Sequence, residues 1–217
     1  MQVFQALTAE QVDKLRDFIG KLEYEDGRET ARGYAKTIKA NRQILPSNRD
    51  AAPVFGDVTN LIMLNPLIAK YAAPHRVLGL RIASYREGDY YGWHVDFAHM
   101  DGHRSDLSFT LCLSDKDEYE GGDLELDFRL YKTSFRGNKG QIIIYPTGVV
   151  HRVTEVTKGE RLCIVGWVHS LIGDSENREA LFRFSQEIIR LRQLFDQPEE
   201  MVQLNQLLQH FTRKLSN

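Results

Sequence analysis

The chain has 217 residues, of which 42% are hydrophobic and 27% are charged, and its formal net charge is -2. This length suits one globular domain with its own hydrophobic core. The near balance of charge excludes a general electrostatic attraction to nucleic acid or to anionic membranes, so neither is expected as a partner.

The start of the chain, MQVFQALTAEQ, has no basic segment followed by an apolar run, and no stretch approaches the roughly 20 apolar residues of a membrane span. We therefore expect no secretory signal and a cytoplasmic protein. The two cysteines, Cys112 and Cys163, lie in apolar, strand-like runs. We interpret them as reduced core residues rather than as a disulfide or a metal-binding pair.

The first predicted element is a helix. Thr8 and Gln11 fit a capping box, and apolar residues then recur at helical spacing. A polar, irregular segment follows over residues 25–53. A second helix is predicted over residues 54–71, interrupted at Pro66 because proline cannot continue a helix from the preceding turn.

From Val77 the apolar period shortens to that of strands. Glycine, aspartate, proline or lysine clusters separate the runs, and turns are predicted at Gly121-Gly122 and over residues 136–140. Many short strands with no helix between them favour an antiparallel sandwich or a jelly roll. The strand-like runs are VLGLRIASY, LSFTLCLSD, DLELDF, QIIIYP, VVHRVTEV and LCIVGWVHS.

After Ser170 the helical period returns in two amphipathic stretches, with Pro198 near the start of the second. These sequences predict a mostly β protein with helices at both ends. The terminal helices are expected to pack on the β core or on a second subunit, which would give a homodimer. The predicted apolar stripes are Leu181, Phe184, Ile188, Leu191 and Phe195, then Met201, Leu204, Leu208, Phe211 and Leu215.

The change of period divides the chain into three regions. Residues 1–76 are predicted as an N-terminal helical region that packs on the core, and residues 77–171 as the β core. Residues 172–217 are predicted as a C-terminal helical extension.

Two histidines and one aspartate are the candidate metal ligands. His94 and Asp96 alternate in YYGWHVD, so in an extended segment both side chains project to one face. His151 lies much later, in the run VVHRVTEV, and a jelly roll can place that strand beside the first. Two imidazoles and one carboxylate form the facial triad of non-haem Fe(II) sites, which leaves three positions open for reactants.

An arginine is the candidate anion ligand. Arg161 follows His151 by ten positions, and a turn is predicted between them at residues 157–160. Two antiparallel neighbouring strands would then aim both side chains into one cavity. Arginine suits a carboxylate because its planar guanidinium binds both oxygens and stays charged.

The ordered set of these four residues resembles that of the Fe(II)- and 2-oxoglutarate-dependent dioxygenases. Within them the chain resembles the bacterial PKHD-type hydroxylases, relatives of prolyl 4-hydroxylases, from about residue 24 to residue 172. Small departures are Cys163, Asp123 and a loosely matching C-terminus. The resemblance is carried by DGRETA (26–31), KANRQ (39–43), YREGDYYGWHVD (85–96), RSDLSFTLCLSDKDEYEGGDLEL (104–126) and IIIYPTGVVHRVTEVTKGER (142–161).

The resemblance implies a double-stranded β-helix, or jelly roll, and a specific set of roles. His94, Asp96 and His151 would bind Fe(II), Arg161 would bind the distal carboxylate of 2-oxoglutarate, and Tyr85 would be a second contact to it. The implied reaction uses O2 to hydroxylate an unactivated carbon of a prolyl or other amino-acid residue, or of a small metabolite, with release of succinate and CO2. L-ascorbate is expected to support turnover.

Two other function classes remain open at this point. One is a non-catalytic jelly-roll module that binds a metal or ligand, and the other is an assembly protein with an inert barrel. His99 and His103 are interpreted as residues of a polar loop. Tyr90, Tyr91 and Trp93 either line a substrate pocket or pack the mouth of the barrel.

Overall fold

Short antiparallel strands make up the centre of the protein. The structure is a computed structural model that describes residues 1–31, 33–194 and 198–216. Most of the central strands coincide with the runs of branched and aromatic residues in the sequence. The strands are β1 (Gln2–Gln5), β2 (Glu25–Asp26), β3 (Lys39–Ala40), β4 (Arg42–Ile44), β5 (Pro74–Arg86), β6 (Tyr90–His94), β7 (His99–Met100), β8 (His103–Arg104), β9 (Leu107–Cys112), β10 (Tyr119–Gly121), β11 (Leu124–Asp127), β12 (Lys132–Phe135), β13 (Gln141–Pro146), β14 (Val150–Val153) and β15 (Val156–Ser170).

These strands form two main sheets. The larger has the order β1-β13-β9-β15-β5-β4-β2, with β10 paired to β15, and the smaller has the order β12-β11-β14-β6-β3. Neighbouring strands are seldom consecutive in the chain, because the chain passes back and forth between the sheets. The predicted mostly β jelly-roll fold with flanking helices is confirmed.

Helices cover the outer face of the larger sheet. Apolar side chains of β5, β9 and β15, such as Ile82, Leu111 and Ile164, pack there against Val58 and Ile62 of a helix. This face is the main hydrophobic core of the protein. The helices are α1 (Ala9–Ile19), α2 (Tyr34–Thr37), α3 (Ala52–Leu64), α4 (Pro66–Ala72), α5 (Ser175–Leu194) and α6 (Pro198–Leu215).

Both helices predicted near the N-terminus are present, although the helical spacing ran on to Tyr24 and α1 ends at Ile19. Thr8 and Gln11 form both hydrogen bonds of the capping box at the start of α1. The second predicted helix is divided at Pro66, where the Asn65 side chain caps α4 by accepting from the backbone N–H groups of residues 67 and 68. Among the described residues, no single helix is long and apolar enough to cross a membrane, and only the pair 49–64 and 66–72, bent by 74°, reaches that length and apolarity together.

The sequence predicted a helical region over residues 1–76, but the structure shows strands there as well as helices. These residues supply β1 to one edge of the larger sheet, β2 and β4 to its other edge, and β3 to the edge of the smaller sheet. Segments of two to four residues such as these carry too little hydrophobic periodicity to be predicted, because their strand conformation comes from pairing with a longer neighbour.

The loop predicted around His99 and His103 is a short hairpin. Strands β7 and β8 pair across Asp101 and Gly102, which both have positive φ, at 51° and 77°. Two consecutive left-handed residues are typical of a type I′ turn, and the Asp-Gly dipeptide is a strong signal for it. His99 faces the central cavity, whereas His103 stacks on His169 with ring centroids 5.6 Å apart.

The C-terminal helices α5 and α6 pack against each other. The buried residues of α5 are Arg178, Phe182, Ser185 and Ile188, so Phe182 rather than the predicted Phe184 enters the core. The predicted stripe of α6 is half-buried or exposed. Phe195, predicted in the first stripe, lies outside the described residues.

Candidate active site

A cavity of about 400 Å³ lies between the two sheets. Because side chains alternate along a strand, β5, β9 and β15 turn one set of residues toward the helices and the other set into this cavity. Many of the side chains that face the cavity are polar, whereas those that face the helices are apolar. The cavity-facing set includes Arg81, Tyr85, Ser108, Arg161 and Trp167.

The three predicted metal ligands meet at one wall of this cavity. His94, at the end of β6, is directly opposite His151 of β14 in the smaller sheet. Asp96 follows β6, and its two carboxylate oxygens lie 3.7 Å from Nε2 of His94 and 3.6 Å from Nε2 of His151. One ligand atom from each residue lies within 4.8 Å of the others.

Backbone carbonyls fix the tautomers of both histidines. Nδ1 of His94 donates to the carbonyl of Gly92 at 2.8 Å, and Nδ1 of His151 donates to the carbonyl of Val149 at 2.9 Å. A carbonyl only accepts, so each Nδ1 carries the proton. Each Nε2 therefore presents its lone pair to the cavity, which is the state that a metal requires.

The larger sheet holds the carboxylate. Oδ2 of Asp96 accepts from the hydroxyl of Ser108 and from Nε1 of Trp167, both at 2.8 Å. These two donors come from β9 and β15. Asp96 thus connects the two sheets, and its Oδ1 has no hydrogen-bond donor among the described residues.

Burial keeps His94 neutral. Removal from water, and then the proximity of His151, lowers the pKa of His94 to about 4, and the opposing attraction of Asp96 is smaller. The Tyr91 ring stacks on His94 with centroids 3.6 Å apart, which shields the imidazole further. Two imidazoles and one carboxylate suit a divalent first-row metal such as Fe(II), so the donor set fits the implied iron.

Arg161 lies deeper in the cavity. It is 5% exposed, and its guanidinium sits 5.2 Å from the centroid of the Tyr85 ring, which faces it in the register of β5 and β15. Its hydrogen bond goes to Sγ of Cys163 at 3.1 Å. No carboxylate of the described residues lies within ion-pair distance of Arg161. A buried cation without an anion is costly, so this position suits an anionic ligand.

The predicted turn between His151 and Arg161 is wrong. Residues 157–160 lie inside β15, where β10 pairs with them, Tyr119 opposite Gly159. The chain crosses from the smaller to the larger sheet just before β15, so His151 and Arg161 reach the cavity from opposite sheets. The predicted convergence is present, but it results from the facing of two sheets.

Both cysteines are free and buried, as predicted. Cys112 of β9 is directly opposite Cys163 of β15. Burial raises the pKa of the Cys112 thiol to about 12 and raises that of Cys163 as well. The thiols beside Arg161 are therefore neutral and do not balance its charge.

Tyr85 is buried at the base of the cavity, and burial raises the pKa of its phenol. It keeps its proton and is able to donate a hydrogen bond, as the predicted contact to 2-oxoglutarate requires. Two aromatic residues of the YYGW run have different environments. Tyr91 lines the cavity, while Trp93 lies between Lys132 and Arg152, whose charged groups sit 4.9 and 4.7 Å from its ring centroid.

Two further cations at the cavity were not predicted. Lys39 of β3 donates to the hydroxyl of Thr30 at 2.8 Å, and burial followed by repulsion from Arg81 lowers its pKa to about 7. Arg81 of β5 places its guanidinium 4.9 Å from the ring centroid of Trp167, and burial lowers its pKa too. Lys39 belongs to the KANRQ element, which helped to indicate the family resemblance. Nothing in the sequence indicated that Lys39 lines the cavity.

Comparison with known proteins agrees with this geometry. The family model of the 2OG-Fe(II) oxygenase superfamily matches residues 80–169, which include all five predicted site residues. A PKHD-type hydroxylase of Maricaulis maris (strain MCS10) is 40% identical over 178 residues, which are 82% of this chain and 81% of that protein.

Two solved structures have a similar fold. A prolyl-4-hydroxylase of Pseudomonas putida superposes with a TM-score of 0.56 and 19% identity, covering 78% of this chain and 91% of its own. A prolyl hydroxylase of Trichoplax adhaerens, solved with a hypoxia inducible factor oxygen degradation domain peptide fragment, gives a TM-score of 0.55 and 15% identity, covering 83% and 86%. At these identities the likeness concerns the fold alone.

Proposed function

This chain belongs to the PKHD-type hydroxylases of the 2OG-Fe(II) oxygenase superfamily, and on that premise we propose how its own residues serve a hydroxylation. His94, Asp96 and His151 hold Fe(II), and Arg161 with Tyr85 holds the distal carboxylate of 2-oxoglutarate. The enzyme is a 2-oxoglutarate-dependent dioxygenase. When bound, the metal and cosubstrate supply the activation of O2 that couples hydroxylation of a carbon to release of succinate and CO2.

One observation carries this assignment. A chelating set of two imidazoles and one carboxylate and an unpaired, buried guanidinium open into the same cavity. A metal alone would not need Arg161, and an anion alone would not need two histidines with their Nε2 atoms aligned. A diacid that chelates a metal at one end and carries its second carboxylate at the other satisfies both groups.

The chain's residues have separate tasks in this arrangement. The carbonyls of Gly92 and Val149 orient the two imidazoles, and Ser108 and Trp167 keep one oxygen of Asp96 occupied so that the other faces the metal. Arg161 fixes the far end of the cosubstrate, which positions the reactive end in one geometry. Tyr91 and Tyr145 pack against the histidine rings and exclude water from them.

The substrate is proposed to be an amino-acid residue of a peptide, prolyl among others, or a small metabolite that enters at the mouth of the cavity. Relatives of this fold include prolyl hydroxylases, which supports an amino-acid type of substrate. We further propose that the enzyme acts in the cytoplasm, without nucleic acid or membrane as partner. Ascorbate would sustain turnover by returning oxidised iron to Fe(II), and a homodimer would form through the half-exposed terminal helices.

An anaerobic absorbance titration tests the site without knowledge of the substrate. Metal-free protein receives Fe(II) and then 2-oxoglutarate, and the visible charge-transfer band between iron and the keto acid is recorded. We expect the band in the wild type, its loss in His151→Ala, and a requirement for at least about 100-fold more 2-oxoglutarate in Arg161→Met, since a lost charge-assisted pair costs about 3 kcal/mol.

Arg152→Met and His75→Ala are the matched controls. Arg152 lies one residue from His151 but pairs with Glu125 on the outer surface, and His75 is exposed. Both should titrate like the wild type. If the wild type gives no band at saturating ligand, the chain is a non-catalytic jelly-roll binding module instead.

A further inference from the structure

The cavity contains more positive charge than the iron and the cosubstrate account for. Lys39, Arg81 and Arg161 all line it, against the carboxylates of Asp96 and Asp101. Asp96 is committed to the proposed metal, and Asp101 lies on the exposed turn of the β7-β8 hairpin. With one distal carboxylate of 2-oxoglutarate assigned to Arg161, two cations remain without an anion.

Lys39 is buried without a charged partner. It is 4% exposed, and its ammonium donates one hydrogen bond, to the hydroxyl of Thr30. That hydroxyl in turn donates toward the carbonyl of Gly27 and the side chain of Gln43. No carboxylate within the described ranges pairs with Lys39, so two of its three N–H donors remain for a ligand in the cavity.

Arg81 also has no carboxylate partner among the described residues. Its guanidinium lies over the Trp167 ring, and it forms no ion pair with the described part of the chain. Stacking occupies the face of the planar group and leaves its N–H edge free, which is the edge that binds a carboxylate in a bidentate way. Arg81 lies close enough to Lys39 to add to the effect of burial in lowering its pKa, which an anion between them would relieve, whereas Asp96 and Asp101 raise the pKa of Arg81 against its burial.

Both cations adjoin the proposed metal ligands. The Tyr91 ring contacts both the ammonium of Lys39, 5.0 Å from its centroid, and the ring of His94, on which it stacks. Trp167 lies beneath Arg81 and donates to Asp96. A small molecule held by these two cations would therefore present its neighbouring carbons to the metal.

This pair is separate from the cosubstrate site. Arg81 is opposite Val165, four residues from Arg161 or about 13 Å along β15, and its guanidinium extends farther still, over the ring of Trp167. Arg161 is buried, whereas Arg81 is half-buried. Five-carbon 2-oxoglutarate is too short to reach from Arg161 to Arg81 while it chelates a metal between them.

We propose that Lys39 and Arg81 form a second anion site that binds a carboxylate of the substrate, so that the substrate is an amino-acid-type carboxylic acid. This inference rests on the proposed function and narrows it. A free amino acid or a peptide with a terminal carboxylate fits the site, whereas an internal residue of a neutral peptide does not. Both residues are specificity determinants in this account.

Matched acid and amide probes test the proposal. The wild type is loaded anaerobically with Fe(II) and saturating 2-oxoglutarate, and the binding of N-acetyl-L-proline and N-acetyl-L-leucine is measured by calorimetry beside that of their amides. For at least one pair we expect the acid to bind at least about tenfold more tightly than the amide, a difference of about 1.4 kcal/mol. The ratio should fall to about one in Lys39→Met and in Arg81→Met.

Lys36→Met is the control, because Lys36 is exposed and pairs with Glu29 on the surface. It should keep the ratio of the wild type. The melting temperature separates binding from a structural role, since removal of an unpaired buried charge should leave the melting temperature of Lys39→Met equal or higher. Equal binding of acid and amide in both pairs, absence of binding, a preserved ratio in Lys39→Met, or a large drop in its melting temperature would each overturn the proposal.

The two proposals fail in different ways. The charge-transfer band is recorded before any probe is added, and its absence contradicts the proposed iron and cosubstrate site. A normal band without preference for the acid contradicts the carboxylate site alone. Calorimetry reports probe binding whether or not the band forms, so the second site is tested in either case.

Discussion

The two faces of the larger sheet differ more than any other two regions of the protein. On β15, Ile164 points outward into the helices, while Arg161, Val165 and Trp167 line the cavity. One strand therefore supplies both the apolar core and the polar site. The outer face contributes hydrophobic stabilisation, and the inner face carries charges whose burial costs stability unless a ligand or a partner balances them.

Because side chains alternate along a strand, neighbouring residues of β15 serve different purposes. One contributes to the stability of the fold and the next to ligand binding. Substitutions on the outer face should unfold the protein without changing the site in the molecules that remain folded. Substitutions on the inner face should abolish binding at little cost to folding, or with a gain. Each of the following experiments tests one side of this contrast.

The largest effect is expected from Asp96→Ala in the cavity, where Asp96 follows β6 and accepts hydrogen bonds from Ser108 and Trp167 of the inner face. Removal of the carboxylate leaves two imidazoles, so Fe(II) should bind weakly and 2-oxoglutarate-dependent succinate release should fall by at least about 1000-fold, or roughly 4 kcal/mol of barrier. The melting temperature should stay near that of the wild type. Asp57→Ala, an exposed aspartate on α3, is the control and should retain full turnover.

Ile164→Ala on the outer face should give the opposite result. Ile164 is fully buried between Ile82 and Leu111, and truncation of such a side chain costs about 2–5 kcal/mol in free energy of unfolding. Chemical denaturation measures this loss. The dissociation constant for 2-oxoglutarate, measured on the folded protein, should not change; a tenfold change would show that the faces are coupled.

The sequence predicted the lining of the cavity only in part. His94 and Asp96 were predicted because two residues of one strand share a face, and His151 and Arg161 because their types completed a known chemical set. The reason given for placing His151 near Arg161 was partly wrong, since residues 157–160 form part of a strand and not a turn. Pairing with the distant β10 extends β15 there, and local residues such as Gly159 cannot reveal such pairing.

Lys39 and Arg81 were not predicted as site residues for a related reason. Lys39 lies in a two-residue strand that exists through pairing with β6, and Arg81 is one charged residue in an otherwise apolar run. Such a charge is ordinarily a solvated residue on a sheet. Arg81 lines a cavity because the smaller sheet packs over this face of the larger sheet. A local sequence pattern does not reveal that packing.

Trp167→Phe should give an intermediate effect on the inner face. The substitution keeps an aromatic ring but removes the Nε1–H that donates to Asp96 at 2.8 Å. Loss of a group that orients a metal ligand typically costs about 10–100-fold in metal affinity. A competition titration with a chromophoric chelator measures it, and Trp93→Phe, outside the cavity, should leave the affinity within about twofold.

The smallest effect concerns the pH dependence of stability in Lys39→Met. Burial lowers the pKa of Lys39 from 10.5 to about 7 in the folded protein, so the unfolded chain binds more protons between these pH values. The folded wild type should gain stability as pH rises through this window. Lys39→Met lacks this gain, so its advantage, about 1 kcal/mol or more near pH 7, should shrink toward pH 10.

Denaturation of wild type and variant from pH 6 to 10 gives this difference directly. Lys36→Met, which removes an exposed charge, should follow the wild type at every pH. An advantage of Lys39→Met that is constant with pH would mean that Lys39 is neutral, or already paired, in the folded protein.

A crystal structure of the anaerobic complex with Fe(II) and 2-oxoglutarate tests the central claim most directly. We expect a metal bound by Nε2 of His94, Nε2 of His151 and Asp96, and the distal carboxylate of 2-oxoglutarate on the guanidinium of Arg161. Lys39 and Arg81 would remain free of the cosubstrate. A metal on other atoms, or a 2-oxoglutarate carboxylate held by Lys39 and Arg81 with Arg161 unliganded, would contradict the account.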